Sequence, residues 1–223
     1  MGKTGNHGAH LVWDWNGTLL DDITAVIGAT NAAFAEAGVA PITLERYRDL
    51  YCVPIPLFYE RLMGRRPSEA EWEVMDAAFH RYYTERRSGC GLTAGVEELL
   101  RDWQLAGRSQ SLLSMYGHEE LVPVVRGYGI ESRFLRVDGR TGPSGGSKAR
   151  HMERHLAALE GADPRRTVVI GDAVDDAVAA AHVGAHAVLY TGGSHSRASL
   201  EAVGVPVVDT LADAVREALR LAS

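Results

Sequence analysis

The sequence predicts an α/β protein, a mostly parallel sheet core with an all-helical segment inserted after the first strand. Three observations predict it. A short apolar run over residues 10–13 ends abruptly in a carboxylate, Asp14. Residues 22–93 then carry apolar side chains at helical spacing. From residue 95 onward helix and strand alternate, as expected of strand–helix units joined by right-handed crossovers.

Taken in order, strand one covers about residues 10–14. Between Ile23 and Leu92, apolar residues recur at helical intervals: Val26, Ile27, Ala33 and Phe34, then Leu57, Phe58 and Leu62, then Trp72, Met75, Phe79, Tyr82 and Tyr83. Gly38, Pro41, Pro54, Pro56, Gly64 and Pro67 break this stretch into about four helices, with no convincing strand before residue 110. Ser68 with Glu71 three residues on reads as a capping box. A helix over 95–106 stops near Gly107, and SLLSM (111–115) is a short buried strand. A helix over 118–128 stops near Gly129, and RFLRV (133–137) is strand-like. The loop GPSGGS (142–147) leads to a helix over 148–160 and the strand TVVIG (167–171). A helix over 175–183 stops at Gly184, AHAVLY (185–190) and VPVV (205–208) are strands, and a terminal helix closes the chain.

Composition narrows the function classes. A chain of 223 residues suits one large α/β domain or a core with a small insert, burying about 70–75% of its unfolded surface without a covalent staple. A net charge of −6 argues against nucleic-acid binding, which wants a basic stripe. Cys52 and Cys90 show no metal spacing and read as free thiols in a reducing compartment. The opening MGKTGNHGAH has no apolar stretch suited to a signal peptide, and no run reaches the ~18 apolar residues of a membrane span. The expectation is a cytoplasmic enzyme or binding protein. The only lysines are Lys3 and Lys148, against 21 arginines, so chemistry needing an amine falls to one of those two.

Four polar residues occupy strand ends or helix starts where apolar packing alone would not choose them: Asp14, Ser114, Lys148 and Asp172. In a doubly wound sheet the carboxyl ends of neighbouring strands converge on one crevice. Two carboxylates meeting there are costly unless a cation lies between them, and a hard ion such as Mg²⁺ matches oxygen ligands from Asp14, Asp172 and a backbone carbonyl. Gly17 lets backbone approach a ligand closely, and the Thr18 hydroxyl can bind an anion's oxygen. Ser114 offers a donor and Lys148 a charge to a phosphoryl group. An aspartate can act as nucleophile and form an aspartyl-phosphate that water later cleaves.

In order and spacing these residues resemble the haloacid dehalogenase superfamily of aspartate-nucleophile phosphohydrolases. DWNGT resembles its first motif, with Asp14 as nucleophile. Ser114 matches the second, Lys148 the third, and GDAVDD the fourth, with Asp172 as metal ligand and Asp176, with Asp175, beside it. The resemblance implies that the Asn16 backbone carbonyl also ligates the metal. It further implies that the insert is a helical cap like that of the phosphoglycolate phosphatase-like branch. The expected architecture is a Rossmann-like core over 1–21 and 94–223 with the cap over 22–93.

One position departs from the pattern. Asn16 stands where family phosphatases carry a second Asp, the general acid and base, and an amide does not titrate near neutral pH. Losing positioned proton transfer typically removes ~10²–10⁴ in rate. Carbon–phosphorus cleavage would need a cap lysine, which the insert lacks, and the intact GDAVDD counts against carbon–halogen cleavage. Two readings stay open: a Mg²⁺-dependent phosphatase of a small phosphorylated metabolite, or a weakly active phospho-ligand-binding protein on the same scaffold. Asp21 and Asp22 read as helix N-terminal charges at the cap hinge, and Trp13 and Trp15 as packing residues. Arg61, Arg65 and Arg66 read as a solvated face from which one could reach an anionic substrate. No histidine receives a role.

Overall fold

The computed structural model describes residues 8–142 and 147–223. Lys3 and most of the predicted loop 142–147 lie outside them. β1 (His10–Trp13) is fully buried and leads through β2 (Leu20–Asp21) into four helices, α1 (Ile23–Glu36), α2 (Leu44–Leu50), α3 (Ile55–Met63) and α4 (Glu69–Arg87). β3 (Gly91–Leu92) returns the chain to the core. There follow α5 (Val96–Leu105), β4 (Ser109–Gly117), α6 (His118–Gly127), β5 (Val137–Arg140), α7 (Lys148–Ala157) and β6 (Thr167–Gly171). The chain ends with α8 (Val174–His182), β7 (His186–Tyr190), α9 (Arg197–Glu201), β8 (Val207–Val208) and α10 (Leu211–Leu221).

Six strands form one parallel sheet in the order β5-β4-β1-β6-β7-β8. Period-2 alternation sorts its side chains between two layers. Leu11 and Trp13 pack with Leu100, Trp103, Leu121 and Leu211 on one face, and Val12 packs with Met152, Leu156, Ala177 and Leu200 on the other. The chain runs from β1 outward to β4 and β5, then returns to β6 and continues through β7 and β8. Strand order therefore reverses between β1 and β6, where open α/β sheets bind ligands beyond the strands' carboxyl ends.

The inserted helices have an apolar cluster of their own, including Phe34, Tyr47, Phe58, Tyr59, Leu62 and Met75. The Ser68–Glu71 capping box forms at the head of α4, with both reciprocal bonds present. Three expectations need correction. β2 and β3 pair antiparallel before residue 110; two-residue strands are too short to show a period. The strand expected over 133–137 begins only at Val137. Residues Glu131–Arg133 form a 3₁₀ turn, and Leu135 is 68% exposed, so the apolar run does not bury both faces. The last strand shrinks from 205–208 to Val207–Val208.

Candidate active site

The sheet register delivers the site. Trp13 lies opposite Ile170 of β6 and Leu112 of β4, and Asp14 N–H donates to Ile170 O at 2.9 Å, carrying the ladder one residue further. Asp14 therefore leaves β1 beside Gly171, and Asp172 follows directly. Gly171 must be small, since a Cβ there would lie 2.1 Å from Asp176 Oδ2, which folds back over the strand end. Asp176 Oδ2 also accepts from Ala173 N at 3.0 Å, fixing its carboxylate at the head of α8. Gly17 turns the chain at φ +68°, and a Cβ there would meet Asp172 Oδ2 at 2.7 Å.

Of the predicted residues, the structure brings Asp14, Lys148, Asp172 and Asp176 together. Ligand atoms of the three carboxylates lie within 4.8 Å of one another, all buried. Lys148, 3% exposed at the head of α7, donates from Nζ to Asp14 Oδ1 and, at 2.5 Å, to Asp176 Oδ1. Asp175 accepts the Lys148 N–H at 3.1 Å and so orients the start of α7. Thr18 Oγ1 donates to Asp172 Oδ1 at 3.3 Å. Ser114, also buried, accepts from Tyr116 N at 3.0 Å.

Electrostatics sets this cluster apart. Three carboxylates share one ammonium, so two negative charges stay uncompensated when all are ionised. Burial raises the Asp14 carboxyl well above the usual range, and the neighbouring Asp176 and Asp172 add to it against the pull of Lys148. Burial and the charge of Asp176 push Asp172 up to about 7. Burial disfavours the charged form of Lys148, but Asp14 and Asp176 outweigh it and hold the ammonium above its ordinary value. The site is short of positive charge, and oxygen donors around a hard divalent cation would remove the deficit.

Asn16 points elsewhere. Its Nδ2 donates to Asp22 Oδ2 at 2.8 Å and to Tyr83 Oη at 2.6 Å, while Tyr83 Oη donates to Asp22 Oδ2 at 2.6 Å. Gly17 N donates to Asp22 Oδ1 at 2.8 Å. Asp22 is thus more than the helix-terminal charge expected of it. It precedes α1 without a side-chain cap bond and anchors the Asn16 turn to α4. Tyr83 lies 67 residues from Asn16, a pairing no local pattern could reveal. Trp13 and Trp15 are fully buried packing residues, as expected. Arg65 is spent on Glu71.

Comparisons with known proteins found related sequences and similar folds. A HAD-hydrolase-like family model matches residues 144–214. The chain is 28% identical over 194 residues to the phosphoglycolate phosphatase of Synechococcus elongatus, covering 86% of this chain and 88% of that one. A haloacid dehalogenase-like family hydrolase from Streptococcus pneumoniae superimposes with a TM-score of 0.80 at 17% identity, over 95% of this chain and 98% of the other. Protein Tyrosine Kinase A of Mycobacterium tuberculosis superimposes with a TM-score of 0.76 at 26% identity, over 96% and 99%.

Proposed function

We propose, from the premise that the chain belongs to the haloacid dehalogenase superfamily and is phosphoglycolate phosphatase-like, that it hydrolyses a small phosphorylated metabolite through a phosphorylated Asp14. The observation that carries this reading is the buried cluster of three carboxylates with a single lysine. Its donor set fits Mg²⁺: the carboxylates of Asp14, Asp172 and Asp176 offer oxygen, as would the Asn16 backbone carbonyl that the resemblance implies. Bound there, the ion would draw negative charge off the phosphoryl oxygens.

The chain's own residues supply the rest. Asp14 attacks phosphorus and displaces the leaving oxygen. Lys148 keeps Asp14 oriented and opposes charge on the transferring group. The Ser114 hydroxyl, which only accepts from Tyr116 N, is the phosphate donor, whereas the Thr18 hydroxyl expected to share that role is given to Asp172. Asn16, held on Asp22 and Tyr83, moves no proton, so the reaction favours leaving groups that depart without one. In this reading residues 22–93 are a cap over a core of 1–21 and 94–223, and its closure excludes water. No helix among the described residues is long and apolar enough to cross a membrane, and the working setting proposed is the cytoplasm, without nucleic-acid partners.

A second reading rests on the same Asn16. Without a general acid and base, the scaffold would bind a phospho-ligand and turn it over slowly. Phosphate release from a panel of phosphomonoesters, with and without Mg²⁺, separates the two. Magnesium-dependent release that disappears in Asp14→Asn supports the enzyme. Tight binding of phosphate analogues with no release from any substrate supports the binding protein.

A further inference from the structure

The second of the inserted helices, α2, meets the core through Arg48 and its neighbour Tyr51. Arg48, in the last turn of α2, donates from Nε to Gly193 O and from Nη2 to Gly192 O, each at 2.9 Å. Its own carbonyl accepts from Ser196 N at 3.1 Å. A guanidinium presents a rigid fork of donors, so two adjacent carbonyls held this way are fixed in direction as well as in place. Among the described residues Arg48 forms no ion pair, and its charge is committed to backbone.

The segment it holds touches the acid cluster. Ser194 N donates to Asp172 Oδ2 at 2.7 Å. Gly193 packs so closely that a Cβ there would lie 2.0 Å from the same oxygen. Oδ2 is thus committed to Ser194, while Oδ1 takes only the long 3.3 Å bond from Thr18. Beside it, Tyr51 meets the buried His195 ring edge-on at 4.8 Å, so the contact continues past Arg48.

We propose that Arg48 is a positioning residue for the metal site: its fork on Gly192 and Gly193 holds Ser194 against Asp172 and so sets the carboxylate for the ion. This inference rests on the metal-dependent reading above. It makes closure of the helical segment and metal affinity two sides of one coupling, since whatever favours the held loop must favour the bound ion equally.

The test is Mn²⁺ binding, measured by electron paramagnetic resonance and calorimetry on the full chain with no substrate. Outer residues that orient metal ligands typically contribute ~10–100-fold in affinity. Arg48→Ala is expected to weaken Mn²⁺ by about 10-fold, within that range, and Arg48→Lys, which can hold one carbonyl, by less. Arg46→Ala, on the same helix but bonded to Leu62 O, is expected to bind as the parent does. Saturating Mn²⁺ should restore the Arg48→Ala rate. Equal affinity in the parent and both Arg48 variants would overturn this inference and leave the phosphatase reading standing. Weakening in Arg46→Ala as large as in Arg48→Ala would also overturn it, since the loss would be general. No Mn²⁺ binding by the parent protein would overturn both. If Arg48→Ala does not fold, the comparison of Arg48→Lys with Arg46→Ala decides.

Discussion

Two buried polar clusters share β1, one at each end of the parallel sheet, and only one of them is complete in itself. At the carboxyl ends are Asp14, Asp172, Asp176 and Lys148, with a charge deficit. Toward the amino ends runs a chain of hydrogen bonds: Ser109 Oγ to His10 Nδ1, His10 Nε2 to Ser111 Oγ, Ser111 Oγ to His155 Nε2, each 2.8 Å, and His155 Nδ1 to Asp138 Oδ2 at 2.7 Å. Arg136 closes it on Asp138. One placement of protons satisfies every member: Ser109 donates to His10, His10 to Ser111, Ser111 to His155, and His155 to Asp138. Burial works against the Asp138 charge, yet His155 and Arg136 hold its carboxyl down at about 2. Asp138, His155 and Ser111 imitate a nucleophilic triad in their order, but Ser111 is wholly buried. Burial alone does not mark a functional site; unmatched charge does.

The sharpest way to break this contrast is to remove Asp14. Asp14→Asn should lower phosphate release to the uncatalysed background with the fold intact by circular dichroism, whereas Ser111→Ala should leave kcat unchanged. A large kcat loss in Ser111→Ala would join the two clusters into one machine.

Asn16 offers a gain instead of a loss. A restored acid is worth ~10²–10⁴ in rate on unactivated esters, but Asn16 faces Asp22 at 2.8 Å, and a carboxylate there meets like charge. Asn16→Asp alone should therefore gain little, and Asn16→Asp with Asp22→Asn more. Equal gains in both, in kcat on an alkyl phosphate, would show that Asp22 does not govern this position.

The clusters also differ in their linkage to pH. Asp172 titrates near 7 when folded, against an ordinary 3.8, so without metal it withdraws stability as pH rises from about 4 through 7. Asp172→Asn, which keeps an acceptor for Ser194, should stabilise the metal-free protein above pH 7 by up to ~4 kcal/mol. It should also abolish the thermal shift with Mg²⁺, about 2.7 kcal/mol in the parent at 100-fold excess over Kd. His10 runs the other way. Burial first, and the neighbouring His155 second, lower it from 6.5 to about 4. The unfolded chain then binds a proton that the folded one refuses, so stability falls by ~1.4 kcal/mol per pH unit between those values. His10→Gln should flatten that acid limb in thermal melts between pH 6.5 and 4, leaving metal binding untouched. Smallest of all, Ser111→Ala should cost about 1–3 kcal/mol for unpaired buried groups at neutral pH.

What could be seen in the sequence and what could not follows from range. A buried strand ending in a carboxylate is a local signal, and two of them, after β1 and β6, locate the crevice from the sequence alone. The four helices are equally plain, since their spacing and their Gly and Pro breaks are local too. The partners of Asn16 are not, because Tyr83 reaches it through the packing of α4. Arg48 meets Gly192 and Gly193 across more than 140 residues, and nothing in LERYRDL distinguishes that arginine from its solvated neighbours. The His10 chain draws on three strands and a helix, each giving one or two unremarkable polar residues. Pairs of carboxylates announce themselves by the cost of bringing them together; satisfied hydrogen bonds leave no such mark.

The most direct test of the charge-deficient cluster as a phosphoryl-transfer site is to trap the enzyme during turnover of an activated aryl phosphate with Mg²⁺, reduce it with borohydride, and map the product by mass spectrometry. Because Asn16 cannot activate the water for the second half-reaction, phosphorylated Asp14 should accumulate and reduction should convert Asp14 to homoserine. Magnesium-dependent phosphate release with Asp14 unmodified, or with the label on another residue, would contradict the account.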